Sequence, residues 1–194
     1  PYGMYVTGID RTEAADSIVL KSRKKTFSYV GAVMTLPTGV QAIAEARYGH
    51  ADQALDYLHR LGRSFSYALP GSMYEVSPDF GMMTQAWNQY AVAIPIVQYF
   101  FGIQPDAPNK TIYLLPRLPS AWPTASLERV RVGDNEFSIA IETNNTSVTY
   151  RVTQTQADWQ IVFTPTDGGS ATVNGKRVEV SGGGQILLTG ANNT

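Results

Sequence analysis

The chain has 194 residues, 43% of them apolar and 16% charged, with a net charge of −1. That suffices to bury the core of one domain or two small ones, and it argues against a nucleic-acid binder: Lys21-Ser-Arg-Lys-Lys25 is a lone basic cluster of the kind found in solvated loops. The lack of cysteine removes disulfides, zinc–thiolate sites and cysteine nucleophiles from consideration, and the longest apolar run, Ala91 to Phe101, is too short to span a bilayer and is broken by Pro95 and Gln98.

From Pro1 to about Val30 no period is sustained, and Gly3, Gly8 and the polar run Asp10 to Lys25 suggest irregular loop or part of a helix. Val40, Ile43 and Ala44 then follow helical spacing, as do Ala51, Ala54, Leu55, Leu58 and Leu61, with Gly49 between them as a helix stop. The pattern predicts a helical hairpin. A third helix is expected over Thr84 to Phe101, carrying Trp87, Tyr90, Ala91, Ile94, Val97 and Phe101 on one face; it is nearly as apolar on the other, which predicts burial on most sides and a kink at Pro95.

Ahead of that helix lies Pro70-Gly-Ser-Met-Tyr-Glu-Val-Ser-Pro-Asp-Phe-Gly81, where two prolines and two glycines stiffen the backbone around Glu75. Tyr74 and Phe80 offer apolar walls beside it. A carboxylate so placed serves chemistry, or it caps the amides of the next helix.

After Gly102 the period drops to 2. Phe137, Ile139 and Ile141 alternate with polar neighbours, and so do Val148, Tyr150 and Val152, and then Trp159, Ile161 and Phe163. Turn residues separate these runs at Gly133-Asp-Asn135, Asn144-Asn-Thr146, Asp167-Gly-Gly169 and Asn174-Gly175. The fold class is therefore α+β: helices over 1–103, then antiparallel strands over 104–194 forming a sandwich or half-barrel. A hairpin plus one helix cannot close a helical layer. That incompleteness, with a start at Pro1 rather than Met, predicts that the helices belong with an N-terminal remainder of the same protein.

A helical hairpin, a loop bearing Tyr74-Glu75, an aromatic helix and a β region opened by Ile112-Tyr-Leu-Leu-Pro-Arg-Leu-Pro119 and Trp122 resemble the end of a six-hairpin (α/α-barrel) glycosidase. The resemblance is to the alpha-L-rhamnosidase and glycogen-debranching-like branches, which also carry a phrase similar to Phe101-Gly-Ile-Gln-Pro-Asp106. It spans about Val30 to Ile141 and implies the last helices of an incomplete barrel followed by a C-terminal antiparallel β-sandwich. It implies further that Glu75 is the general base of an inverting, exo-acting hydrolase of α-linked sugars, with the general acid on the N-terminal remainder. Where rhamnosidases carry Asn-His-Tyr, this chain has Asn88-Gln-Tyr90, a departure that bears on rhamnose specificity.

Within that frame the substrate is an oligosaccharide or glycoside. Tyr74, Trp87 and Tyr90 are candidates to stack on sugar faces, and Asn88 and Gln85 to bond hydroxyls; core packing is the alternative for Trp87 and Tyr90. Asp79 either binds a hydroxyl or caps the next helix. Asp10-Arg11 is a further substrate-binding pair or a surface ion pair. His50 and His59 lack a second ligand at metal spacing, and no metal or cofactor is expected. Sequons at Asn109, Asn144, Asn145 and Asn192 favour a secreted glycoprotein. The competing function is a carbohydrate-binding or structural β-sandwich module engaging sugar through Trp159 or Trp122.

Overall fold

The computed structural model of the chain describes residues 33–63, 65, 69–77, 82, 84–85, 88–166, 169–180 and 184–194. The fold is mixed α+β, and the chain divides into two compact units, Pro1–Ile96 and Val97–Thr194. The division falls earlier than the change of composition near residue 104. Phe100 explains this, because its carbonyl accepts from Arg117 N (2.9 Å) and its ring meets Trp122 edge-on with centroids 5.6 Å apart, tying the end of the helical stretch to the strand region after it.

In the first unit, β1 (Val33–Met34) runs into α1 (Thr35–Arg47), which packs on α2 (Ala51–Gly62). The α2 stripe is as the spacing predicts: Ala54, Leu55, Leu58 and Leu61 are buried, joined by Tyr57. The α1 stripe is not. Its buried positions are Thr35, Thr38, Gly39, Ala42 and Ala46, while Val40 is exposed and Ile43 and Ala44 are half-buried. Small residues win this face because of close approach: a Cβ on Gly39 would stand 2.3 Å from Ala91 Cβ.

The third helix is shorter than expected. Among the described residues α3 is α-helical over Gln89–Ile94 and continues as the π-helical stretch Pro95–Phe100. Thr84 and Gln85 are not helical, since Gln85 N donates sideways to Met73 O (3.1 Å) and Asn88 N then turns back to Gln85 O (3.1 Å). The interruption expected at Pro95 takes the form of widened turns, as a residue without N–H removes one rung of the α ladder. Burial is also less complete than the apolar composition predicts. Ala91, Pro95, Phe100 and Phe101 are buried, but Val92, Ile94, Ile96 and Val97 are only half-buried.

Among the described residues the second unit holds two four-stranded sheets and a hairpin. One sheet has the order β11-β8-β4-β3, with β3 (Ile103–Asp106), β4 (Thr111–Leu114), β8 (Gln160–Phe163) and β11 (Ile186–Leu188). The other has the order β12-β7-β6-β5, with β5 (Thr124–Val132), β6 (Asn135–Thr143), β7 (Val148–Gln154) and β12 (Asn192–Asn193). The hairpin is β9 (Gly169–Val173) with β10 (Lys176–Val180). Pairings are antiparallel except that β4 and β8 run parallel, which alternation alone cannot reveal.

Alternation places the core. Phe137, Ile139 and Ile141 of β6 and Ile161 and Phe163 of β8 are buried as their period demands, and Tyr150 of β7 meets Phe163 with ring centroids 4.7 Å apart. Gly102 is required at the start of β3: its φ is +67°, and a Cβ there would stand 2.1 Å from the Leu115 carbonyl. The Asn174-Gly175 turn has both φ values positive, +50° and +79°, matching the twist of the hairpin it closes. The sheet surface carries exposed ion pairs. Hydrogen bonding from Arg151 holds the Glu142 carboxyl below its ordinary pKa, and Lys110 does the same for Asp158; such depressed groups favour the folded state above the carboxylate range and lose that effect as pH falls through it.

Candidate functional site

The loop around Glu75 is built by backbone bonds that its own sequence makes available. Pro70-Gly71 forms a turn closed by Ser72, whose N and Oγ both donate to Leu69 O (3.1 and 2.8 Å). Met73 then bridges to Phe65, and β2 (Val76–Ser77) pairs antiparallel with β1, opposing Met34 to Val76. Glu75 lies between these two anchors.

Glu75 is half-buried and is bonded to Met82 through both main chain and side chain. Its N donates to Met82 O (2.9 Å), and Met82 N donates to its Oε2 (3.1 Å). Its carbonyl accepts from Thr35 N at the start of α1 (3.0 Å). Among the described residues Oε1 has no hydrogen-bond donor. Among the described residues the Glu75 carboxylate bonds Met82 N and no amide of α3.

Behind the loop stands a buried polar strut. Thr35 is 1% exposed and Asn88 0%. Thr35 Oγ1 donates to Tyr74 O (2.8 Å) and, more weakly, to Glu75 O (3.2 Å), and it accepts from Asn88 Nδ2, which also reaches Tyr74 O at 3.4 Å. One hydroxyl thereby fixes both carbonyls of the Tyr74-Glu75 pair, and a fully enclosed amide fixes the hydroxyl. Breaking one link would strand enclosed polar atoms, and among the described residues the Asn88 Oδ1 already has no partner.

The expected substrate-contacting residues separate under this geometry. Tyr74 and Tyr90 are half-buried. Asn88, expected to bond hydroxyls, is enclosed and spends its Nδ2 on Thr35 and Tyr74; Gln85 is buried as well, at 7% exposure. Asp79, Trp87, Phe80, Asp10 and Arg11 lie outside the described residues. Thr35 was not singled out by sequence reasoning. A threonine opening a helix carries no local sign of a bond to residues 39 and 53 positions away.

Elsewhere, Trp159 is a core residue. It is 2% exposed, its Nε1 donates to Asp134 Oδ1 (3.0 Å), and it offers no sugar platform. Trp122 is half-buried against Phe100. His50 Nδ1 pairs with Glu45 Oε2 at 2.7 Å, and among the described residues no group of three His, Asp or Glu is placed to hold a metal ion. Asn109, Asn144, Asn145 and Asn192 are all exposed, with the Asn144 Oδ1 closing its own turn by accepting from Thr146 N and Ser147 N. Among the described residues no helix is long and apolar enough to cross a membrane. No protein-family model and no curated protein matches the chain.

Proposed function

We propose that the chain is the C-terminal portion of an inverting, exo-acting glycoside hydrolase that removes a terminal α-linked sugar, with Glu75 as general base. In this reading the first unit contributes the last helices of an α/α barrel and the second is a β-sandwich appended to it. The observation that carries the reading is the Tyr74-Glu75 pair itself, held at both carbonyls by Thr35 while one oxygen of the half-buried carboxylate has no donor among the described residues. A base that positions water needs a fixed backbone and an unoccupied lone pair. The half-buried Val92, Ile94 and Ile96, in a helix with no charged residue, suit a barrel helix whose remaining neighbours come from a preceding part of the protein.

Glu75 accepts a proton from a water on one face of the sugar as that water forms the new bond to the anomeric carbon. The glycosidic bond breaks on the opposite face, and its oxygen takes a proton from an acid carboxyl about 6.5 to 9.5 Å away. That acid is supplied by the preceding part. Native protein carrying this chain is assayed on p-nitrophenyl α-L-rhamnoside, α-D-glucoside and related α-glycosides. Glu75→Gln is expected to lower turnover about 10²- to 10⁴-fold with an unchanged melting curve, because an amide cannot take the proton. Turnover close to wild type in the variant refutes the assignment of Glu75, and a wild type inert on the whole α-glycoside panel refutes the hydrolase reading.

A further inference from the structure

Asn174-Gly175 is the one Asn-Gly pair in the sequence, and it closes the β9–β10 hairpin. Such a pair is the most labile setting for an asparagine, because glycine has no side chain to keep its backbone nitrogen away from the asparagine amide carbon. Asn174 is exposed, so water reaches the turn. Attack of Gly175 N on the Asn174 Cγ forms a new N–C bond and expels Nδ2 as ammonia, leaving a cyclic succinimide. Water then opens the ring at one carbonyl to give aspartate, or at the other to give isoaspartate. The reaction consumes water and releases ammonia, and it needs no oxidant or cofactor.

The fold ties Asn174 to residues 193–194. Its N donates to Thr194 O (2.7 Å), its Oδ1 accepts from Thr194 N (2.9 Å), and its Nδ2 donates to Asn193 Oδ1 (3.2 Å). A main-chain N–H can only donate, so the bond from Thr194 N fixes which end of the Asn174 amide faces it. Both ends of the amide are thereby engaged, and swinging Cγ onto Gly175 N means giving up both bonds. The segment that supplies them is itself lightly held: β12 has two residues and ends its sheet beside β7. Short edge elements open at the low end of a protein's range of local stabilities.

We propose that Asn174 is a deamidation site gated by residues 193–194: docked, they hold its amide away from Gly175 N, and when they lift off, the turn reacts. The site belongs to the second unit and is independent of Glu75 chemistry. The full chain and a synthetic peptide of residues 170–178 are incubated side by side in mildly alkaline buffer, and isoaspartate is read with an isoaspartyl methyltransferase and by peptide mapping. The folded chain should react at Asn174 at least about tenfold more slowly than the peptide. Asn193→Ala removes the acceptor for Nδ2, and Thr194→Pro removes the N–H that serves Oδ1; each variant, while folded, should react about three- to tenfold faster than wild type. In wild type, urea below the unfolding midpoint should speed deamidation in parallel with hydrogen exchange of the Thr194 N–H, a comparison that needs no variant. A folded chain that reacts as fast as the peptide, folded variants that react no faster than wild type, or a wild-type rate that follows global unfolding alone would overturn the proposal.

Discussion

Thr35 is the residue on which the loop geometry turns, because its single hydroxyl serves the carbonyls of Tyr74 and Glu75 and the amide of Asn88 at once. Replacing it with valine preserves shape but strands polar atoms that are already enclosed. Thr35→Val should therefore destabilise the fold by about 1 to 3 kcal/mol. The effect should be read as a lower urea midpoint at unchanged slope, with Thr35→Ser, which keeps the hydroxyl, losing less than half as much. A valine variant as stable as wild type would show that the strut contributes nothing. The identity of Glu75 as a candidate was legible from the Pro/Gly loop around it. Thr35 and the enclosed state of Asn88 were not, since both depend on chain segments that meet only after folding.

At the scale of elements, close approach decides more than hydrophobicity does. The α1 face toward α3 consists of threonine, glycine and alanine because larger residues would hold the helices apart, and an added methyl at Gly39 has only Ala91 to displace. Gly39→Ala should cost about 1 to 3 kcal/mol by overpacking, outweighing the roughly 1 kcal/mol that alanine gains over glycine in a helix. Adding Ala91→Gly should recover most of the loss in a double-mutant cycle. Gly102→Ala should be worse, with no such rescue: its obstacle is the Leu115 backbone at 2.1 Å, and its φ of +67° disfavours any side chain. Thermal melts of the four variants decide both points, and a Gly102→Ala protein of wild-type stability would refute the second.

At the scale of the whole molecule, the proposed reaction predicts a stereochemical outcome that belongs to no single residue. Inversion requires that Glu75 and an acid elsewhere in the protein stand far enough apart to admit a water between carboxylate and sugar. The sugar released from an α-glycoside should therefore appear first as the β-anomer. Early-time proton NMR, recorded before mutarotation, reads this directly. Release of the α-anomer first, or a glycosyl ester trapped on Glu75, would identify a nucleophile and a closer carboxylate pair.

By itself the sequence determined whatever repeats along the chain. The period of 2 in β6 and β8 comes from burying one face of a strand, the α2 stripe from burying one side of a helix, and the Asn174-Gly175 turn from φ values that few other pairs tolerate. Tertiary structure alone decided the rest. It set the parallel pairing of β4 with β8, the small-residue face of α1 that displaced the apolar stripe of Val40 and Ile43, the late start of α3, and the strut joining Thr35 to Asn88. Each depends on contacts between distant segments, which impose no period on either one and so leave no local pattern to read.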